Sequence, residues 1–113
     1  MTVTITFNSK CGTARNVLEM VRAAGIEPTI IEYLKTPLTR DEIQALVKKL
    51  DVPVRDIVRA KEPFYAELNL EQADDAALLD AMAAHPILFN RPIVITPKGA
   101  KLCRPSETVA ALL

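Results

Sequence analysis

The sequence predicts an α/β fold: a mixed sheet of about four strands with an inserted helical segment. Three observations carry this reading. The first third is patterned strand, helix, strand; the middle is helical; the last third is patterned strand, strand, helix. A chain of 113 residues, half of them hydrophobic, fits one domain over residues 1–113, with the helical insertion at about 37–86.

Each element has its own signal. Thr2 to Phe7 alternates Thr with Val, Ile and Phe, the period of a strand, and the strand runs to about Asn8. From Ala14, the residues Val17, Leu18, Val21 and Ala24 fall on one helical face, and Gly25 stops the helix. Thr29–Tyr33 is apolar or β-branched up to Glu32, as a buried parallel strand is, and completes a βαβ unit. Thr39-Arg40-Asp41-Glu42 is a capping box, followed by Ile43, Leu46, Val47 and Leu50 on the buried face of a second helix. Val54–Ala60 reads as a short turn or helix and Lys61–Leu70 as irregular chain. The Ala-rich run from Asp74 to Ala84 is a third helix, with Leu78, Leu79 and Met82 inward. Ile93–Thr96 and Lys101–Cys103 form a hairpin about Pro97-Lys98-Gly99, and Ser106 to Leu113 closes the chain as a short helix. This order, with a cysteine after the first strand, is the thioredoxin/glutaredoxin arrangement with helices inserted in the middle.

Bulk properties narrow the function. Fourteen basic and fourteen acidic residues cancel, so no electrostatic footprint for nucleic acid or an anionic membrane is expected. No apolar run approaches the roughly 18–20 residues of a membrane span. The chain starts directly on a strand pattern without a charged-then-apolar leader, from which a cytoplasmic location is expected. No apolar segment is left over, so a monomer is expected. Cys11, Cys103 and His85 do not have the spacing of a metal site, and no disulfide framework is expected.

Cys11 carries the chemistry. It stands at a strand-to-helix junction in Phe7-Asn8-Ser9-Lys10-Cys11-Gly12-Thr13-Ala14-Arg15-Asn16. There free backbone N–H groups and the positive end of a helix dipole favour a thiolate and give an anion a seat. Gly12 leaves room for close approach of a ligand, Lys10 and Arg15 add positive charge, and Asn8 bonds either the loop or the thiolate, or makes the turn. Cys11 to Arg15 is C-x3-R, which is not the C-x5-R loop of cysteine-dependent phosphatases. Cys11-Gly12-Thr13-Ala14 is not C-x-x-C, so a one-cysteine site needs an external thiol to turn over.

From end to end the chain resembles the glutaredoxin-coupled arsenate reductases. The matching blocks are Cys11-Gly12-Thr13-Ala14-Arg15-Asn16, Glu27-Pro28-Thr29-Ile30-Ile31-Glu32-Tyr33-Leu34, Thr36-Pro37, and Val54-Arg55 through Arg59. His85-Pro86-Ile87-Leu88, Asn90-Arg91-Pro92-Ile93-Val94 and Leu102-Cys103-Arg104-Pro105-Ser106-Glu107 follow in the same order. The resemblance implies that Cys11 is the nucleophile and that Arg59, Arg91 and Arg104 bind the oxyanion. Asn8, Gly12, Thr13 and Arg15 support the loop, and Pro92 is a cis-proline facing the cysteine. It also implies arsenate as substrate, glutathione as co-substrate with no bound cofactor or metal, and glutaredoxin as partner. Two positions depart from the family pattern: Phe7 stands where members often have His, and Ser9 where proline is common.

An ordinary thiol of pKa about 8.5 is roughly 3% thiolate at pH 7. Lowering that pKa by about 2 raises the thiolate about 25-fold, but lost nucleophilicity leaves a net gain of only about three-fold. The larger service of an arginine cluster is holding the oxyanion and offsetting the repulsion between two anions. Two other readings remain at this stage. Spx-type regulators that bind RNA polymerase share the fold, although they carry C-x-x-C where Ala14 stands here. A glutathione-dependent thiol oxidoreductase without preference for arsenate is the other. His85 is expected to cap helix carbonyls or favour the helix dipole, Cys103 to be a strand residue without a redox part, and Glu62 and Tyr65 to lie in a pocket lid.

Overall fold

The computed structural model describes residues Thr2–Leu113. The chain forms two compact units, one ending at Thr36 and resuming over Arg91–Leu113, the other covering Pro37–Asn90.

The first unit holds the sheet. Its strands are β1 (Thr4–Thr6), β2 (Thr29–Ile31), β3 (Ile93–Thr96) and β4 (Gly99–Leu102), in spatial order β2-β1-β3-β4. β1 and β2 run parallel, with Ile5 opposite Ile30, while β3 is antiparallel to both β1 and β4. The C-terminal ends of β1, β2 and β4 and the N-terminal end of β3 therefore share one end of the sheet. Helix α1 (Gly12–Ala23) makes the crossover from β1 to β2 and buries Ala14, Val17 and Val21. Val17 and Val21 join Val3, Ile5, Val94, Cys103, Val109 and Leu112 in one core cluster. A 3-10 segment over Ser106–Leu112 packs against α1, β3 and β4 where a short α-helix was expected. The Oγ1 of Thr96 donates to the Leu112 carbonyl at 3.1 Å and ties this segment to the sheet.

β2 differs from its expected character. Its apolar composition reads as a strand covered on both faces, yet Thr29 is exposed and Ile30 and Ile31 are only partly buried. The reason is position: β2 is an edge strand, with only β1 to pair with. The strands are also shorter than the periodicity suggests, because the chain leaves β1 at Phe7 to build the Cys11 loop. Leu18 is half-buried against the core, and Ala24 is an exposed C-cap followed by Gly25 at φ 81°, which closes the helix in the left-handed region.

The second unit is helical. Helix α2 (Arg40–Leu50) begins with the capping box: Thr39 Oγ1 accepts from the Glu42 N–H at 3.1 Å, and Glu42 Oε1 accepts from the Thr39 N–H at 3.0 Å. It buries Ile43, Leu46 and Leu50 and packs on the third long helix, while Val47 is only partly buried. A 3-10 turn over Val54–Ile57 follows. The stretch read as irregular contains a short helix, α3 (Pro63–Glu67), which starts on a proline and leads into a 3-10 turn over Leu70–Gln72. Arg55 fastens it: Nη1 donates to Tyr65 Oη at 2.9 Å and to the Leu70 carbonyl at 3.1 Å, and Nη2 to the Ala73 carbonyl at 2.7 Å. Residues so short of apolar periodicity are ordered by one arginine reading carbonyls, a signal no residue pattern carries. Helix α4 (Asp75–Ala84), capped by Asp74 Oδ1 on the Ala77 N–H at 2.8 Å, buries Leu78, Leu79 and Met82.

Thr39→Ala is expected to destabilise the protein by about 1 kcal/mol, since it removes the side-chain half of the capping box. Urea denaturation followed by circular dichroism checks this, and an unchanged midpoint overturns it.

Candidate active site

The site is built at the shared sheet end, within the first unit. After β1 the chain turns sharply: Asn8 Oδ1 accepts from the Lys10 N–H at 3.0 Å, and its carbonyl accepts from the Cys11 N–H at 2.9 Å. Of the roles open to Asn8, these bonds serve the turn. Arg15, one turn into α1, donates from Nη1 to the Ser9 carbonyl at 2.7 Å and laces the loop to the helix. Cys11 is thereby the N-cap of α1, in an extended conformation at φ −92° and ψ 117°. Gly12 is the first helical residue, and a Cβ there would meet Arg15 Nη2 at 3.7 Å, an ordinary contact. The protein itself does not require glycine at this position. Thr13 is half-buried in the first turn of α1.

Two arginines come to this cysteine from distant sequence. Arg91 precedes β3 and Arg104 follows β4, and the antiparallel pairing of β3 with β4 brings them together. Arg104 Nη1 lies 3.7 Å from Cys11 Sγ and donates to the Arg91 carbonyl at 3.0 Å. One guanidinium thus touches the thiol and holds the chain that carries its partner arginine. That chain is fixed from two further sides: the Cys103 N–H donates to the Pro92 carbonyl at 2.8 Å, and the Ile93 N–H donates to Thr6 Oγ1 at 2.8 Å. The Arg91–Pro92 peptide is cis, and so is Arg104–Pro105.

The electrostatics follow from this geometry. Burial is the largest single influence on the Cys11 thiol and on its own raises the pKa. The Ala14 N–H, Arg104, and the charge and hydrogen bond of Arg91 act in the opposite direction and together outweigh it, so the pKa is lowered. Cys103 shows what happens without such partners: burial pushes it up to about 11, against a minor opposing effect of Lys101. Its Sγ faces the Lys101 carbonyl at 3.6 Å, inside the core cluster. The two thiols therefore differ in kind, one with positive partners that favour its thiolate, the other a small buried apolar group.

Arg59 belongs to the helical unit. Its N–H donates to the Leu88 carbonyl at 2.7 Å, and its Nε lies 3.5 Å from Glu62 Oε1. Glu62 and Tyr65, expected in a lid, hold Arg59 and Arg55 respectively. The His85 ring stacks on Phe64 with centroids 4.4 Å apart. Phe7 packs partly against the core cluster. Sequence reasoning missed Thr6, whose place in a regular alternation of Thr and Ile hides a buried acceptor. It also missed the Ala14 N–H and the bond between the two arginines, which depend on how the chain folds back on itself. Among the described residues no group of three or more His, Cys, Asp or Glu is placed to hold a metal ion. Among the same residues no helix is long and apolar enough to cross a membrane.

Arg104→Leu is expected to raise the Cys11 pKa, because it removes a donor that favours the thiolate. Well below its pKa, a thiol loses about tenfold in thiolate for every tenfold weakening of its acidity. Alkylation by iodoacetamide should therefore slow several-fold near pH 6 and converge with the native rate above both pKa values. Cys103 should stay unlabelled in the folded protein at pH 8. Equal rates for the two proteins at every pH overturn the assignment.

Comparison with known proteins places this arrangement in a family. The ArsC family model matches residues 7–112. An arsenate reductase of Rhizobium meliloti (strain 1021) is 52% identical over 115 residues, covering 100% of this chain and 82% of that protein. One of Escherichia coli (strain K12) is 51% identical over 113 residues, covering 98% of this chain and 80% of that protein. A solved structure described as an arsenate reductase from Vibrio cholerae superposes with a TM-score of 0.96 at 41% identity, covering 100% of this chain and 98% of that one. With its thioredoxin-like sheet, its loop cysteine and its paired arginines, the chain belongs to the ArsC family.

Proposed function

We propose that the protein reduces arsenate to arsenite with Cys11 as its single nucleophile, drawing electrons from glutathione and glutaredoxin. The observation that carries the reading is the Cys11 sulfur 3.7 Å from Arg104 Nη1, with its pKa lowered despite burial. Relatives about half identical to this chain carry the name arsenate reductase and support the substrate.

The Cys11 thiolate attacks arsenic and displaces hydroxide or water, which forms a sulfur–arsenic bond with no change of oxidation state. Arg91 and Arg104 neutralise the oxyanion that brings a second negative charge to the thiolate. Arg59 is assigned the same role by the resemblance alone. Glutathione then adds at arsenic and displaces a second oxygen. A glutaredoxin thiolate attacks the glutathione sulfur, the sulfur–arsenic bond breaks, and its electron pair stays on arsenic, which becomes arsenic(III). Water releases arsenite and returns Cys11. No second cysteine in the loop competes for the adduct, and the raised pKa of Cys103 leaves that thiol protonated and poorly nucleophilic. The reaction is expected to need no bound cofactor and no nucleic-acid or membrane partner, and to proceed in a monomer.

The test is NADPH consumption with arsenate, glutathione, glutathione reductase and glutaredoxin. The native protein should turn over, Cys11→Ser should fall to background, and Cys103→Ala should retain most of the rate. Arg91→Lys and Arg104→Lys should each lose at least about tenfold in kcat/KM for arsenate, because charge is kept while bidentate geometry is lost. Arsenate-dependent turnover by Cys11→Ser, or none by the folded native protein, overturns the reading.

A further inference from the structure

The peptide group that joins Pro92 to Ile93 is held at both ends. On the β4 side the Pro92 carbonyl accepts from the Cys103 N–H at 2.8 Å, and on the β1 side the Ile93 N–H donates to Thr6 Oγ1 at 2.8 Å. The first bond is backbone to backbone, as in any strand ladder. The second is not. Thr4 faces Ile95 and Ile5 faces Val94, and the same register brings Thr6 opposite Ile93. There β1 ends, and the chain turns off at Phe7 toward Cys11. At the last position before the two strands part, a side chain supplies the acceptor.

Nothing in the strand pattern asks for a hydroxyl at this place. Val3 and Ile5 join the core cluster, and Thr6 falls on the other face of the same strand. A β-branched apolar residue suits a buried strand position equally well, and Thr6 is only 1% exposed. What the hydroxyl adds is a partner for a buried N–H. Ile93 is fully buried, so that N–H has no recourse to water. Without Thr6 Oγ1 the peptide can pivot about its remaining bond to Cys103. Arg91 stands two residues before that N–H, and its guanidinium bears on Cys11 both by charge and by a hydrogen bond. A charge falls off slowly with distance and a hydrogen bond steeply, so a small pivot loses the second and spares the first.

We propose that Thr6 is a positioning residue: its hydroxyl, standing in for a ladder carbonyl, fixes the peptide that aims Arg91 at Cys11 and at an oxyanion bound there. Thr6 acts through Arg91 and not on the sulfur. The oxyanion half deepens the reductase reading and rests on it; the half concerning Cys11 is testable without arsenate.

The test is the pH profile of Cys11 alkylation by iodoacetamide, with circular dichroism to confirm that each variant is folded. Thr6→Val should slow the reaction about two- to threefold near pH 6 and converge with the native rate above both pKa values, since the charge of Arg91 remains. Thr6→Ala removes the same acceptor without the branched side chain and should behave alike. Thr6→Ser keeps the acceptor and should follow the native profile. So should Thr96→Val, which removes another buried threonine hydroxyl, bonded to the Leu112 carbonyl at the opposite end of β3. On an Arg91→Leu background Thr6→Val should add nothing further, as when one residue acts through the other. With arsenate as substrate, Thr6→Val should raise KM about three- to tenfold and change kcat less. An unchanged profile in Thr6→Val and Thr6→Ala, or an unchanged KM, overturns the proposal. So does an equal shift in Thr96→Val, which marks general loosening of the sheet, or in Thr6→Ser, which marks packing. A full further loss on the Arg91→Leu background overturns it too, because the effect then bypasses Arg91. A shifted profile with no arsenate turnover by the native protein sinks the reductase reading and supports the role of Thr6 at Cys11; turnover with an unshifted profile sinks the role of Thr6 alone.

Discussion

Burial opposes ionisation of a thiol, and the first unit is arranged to offset that opposition at Cys11. Cys11 is 8% exposed, and desolvation is the largest influence on its ionisation. Its pKa is nevertheless lowered, because three positive partners converge on one sulfur: the Ala14 N–H from the start of α1 and the guanidinium groups of Arg91 and Arg104. Each is useful only at short range, since an N–H dipole or a partly screened charge loses effect within a few ångströms. The order β2-β1-β3-β4, with β3 reversed, is what supplies that range. It puts the helix start, the residue before β3 and the residue after β4 at the same end of the sheet.

The supports of the site are mostly backbone. Thr6 and Cys103 hold the Ile93 N–H and the Pro92 carbonyl, and Arg104 holds the Arg91 carbonyl. The chain that carries Arg91 is therefore held in place by the fold itself. The same division explains the contrast between the two cysteines. Cys103 contributes its N–H to this scaffold while its thiol stays in the core with a pKa of about 11. Cys11 keeps its sulfur beside Arg104 and gives its N–H to the loop turn.

Strand β2 has a role beyond pairing. As an edge strand it leaves the chain after Ile31 free to fold into the Glu32–Lys35 turn, where the Lys35 and Thr36 N–H groups both donate to the Glu32 carbonyl at 2.9 Å. That turn forms the far wall of a cleft beside the loop. The loop is thus flanked by the arginine pair on one side and by a mixed-charge groove on the other.

Much of the fold was legible in the residues alone. Period-two alternation marked β1, the Thr39–Glu42 box marked the start of α2, Leu78, Leu79 and Met82 marked the inner face of α4, and the hairpin announced itself by Pro97-Lys98-Gly99. Such signals are local, and local hydrogen bonds and apolar periodicity decide them. Cys11 was legible too, because a strand-to-helix junction is a property of consecutive residues. The edge position of β2, the arginine-held order of the 61–73 stretch, the burial of Thr6 and the bond from Arg104 to Arg91 were not. These depend on which strands pair and in what direction, and residues 13 apart, such as Arg91 and Arg104, meet only after a hairpin has formed. The sequence by itself determined which groups were present and which segments would be helix or strand; the tertiary structure decided which charges reach the thiol, since that is a matter of a few ångströms set by strand pairing.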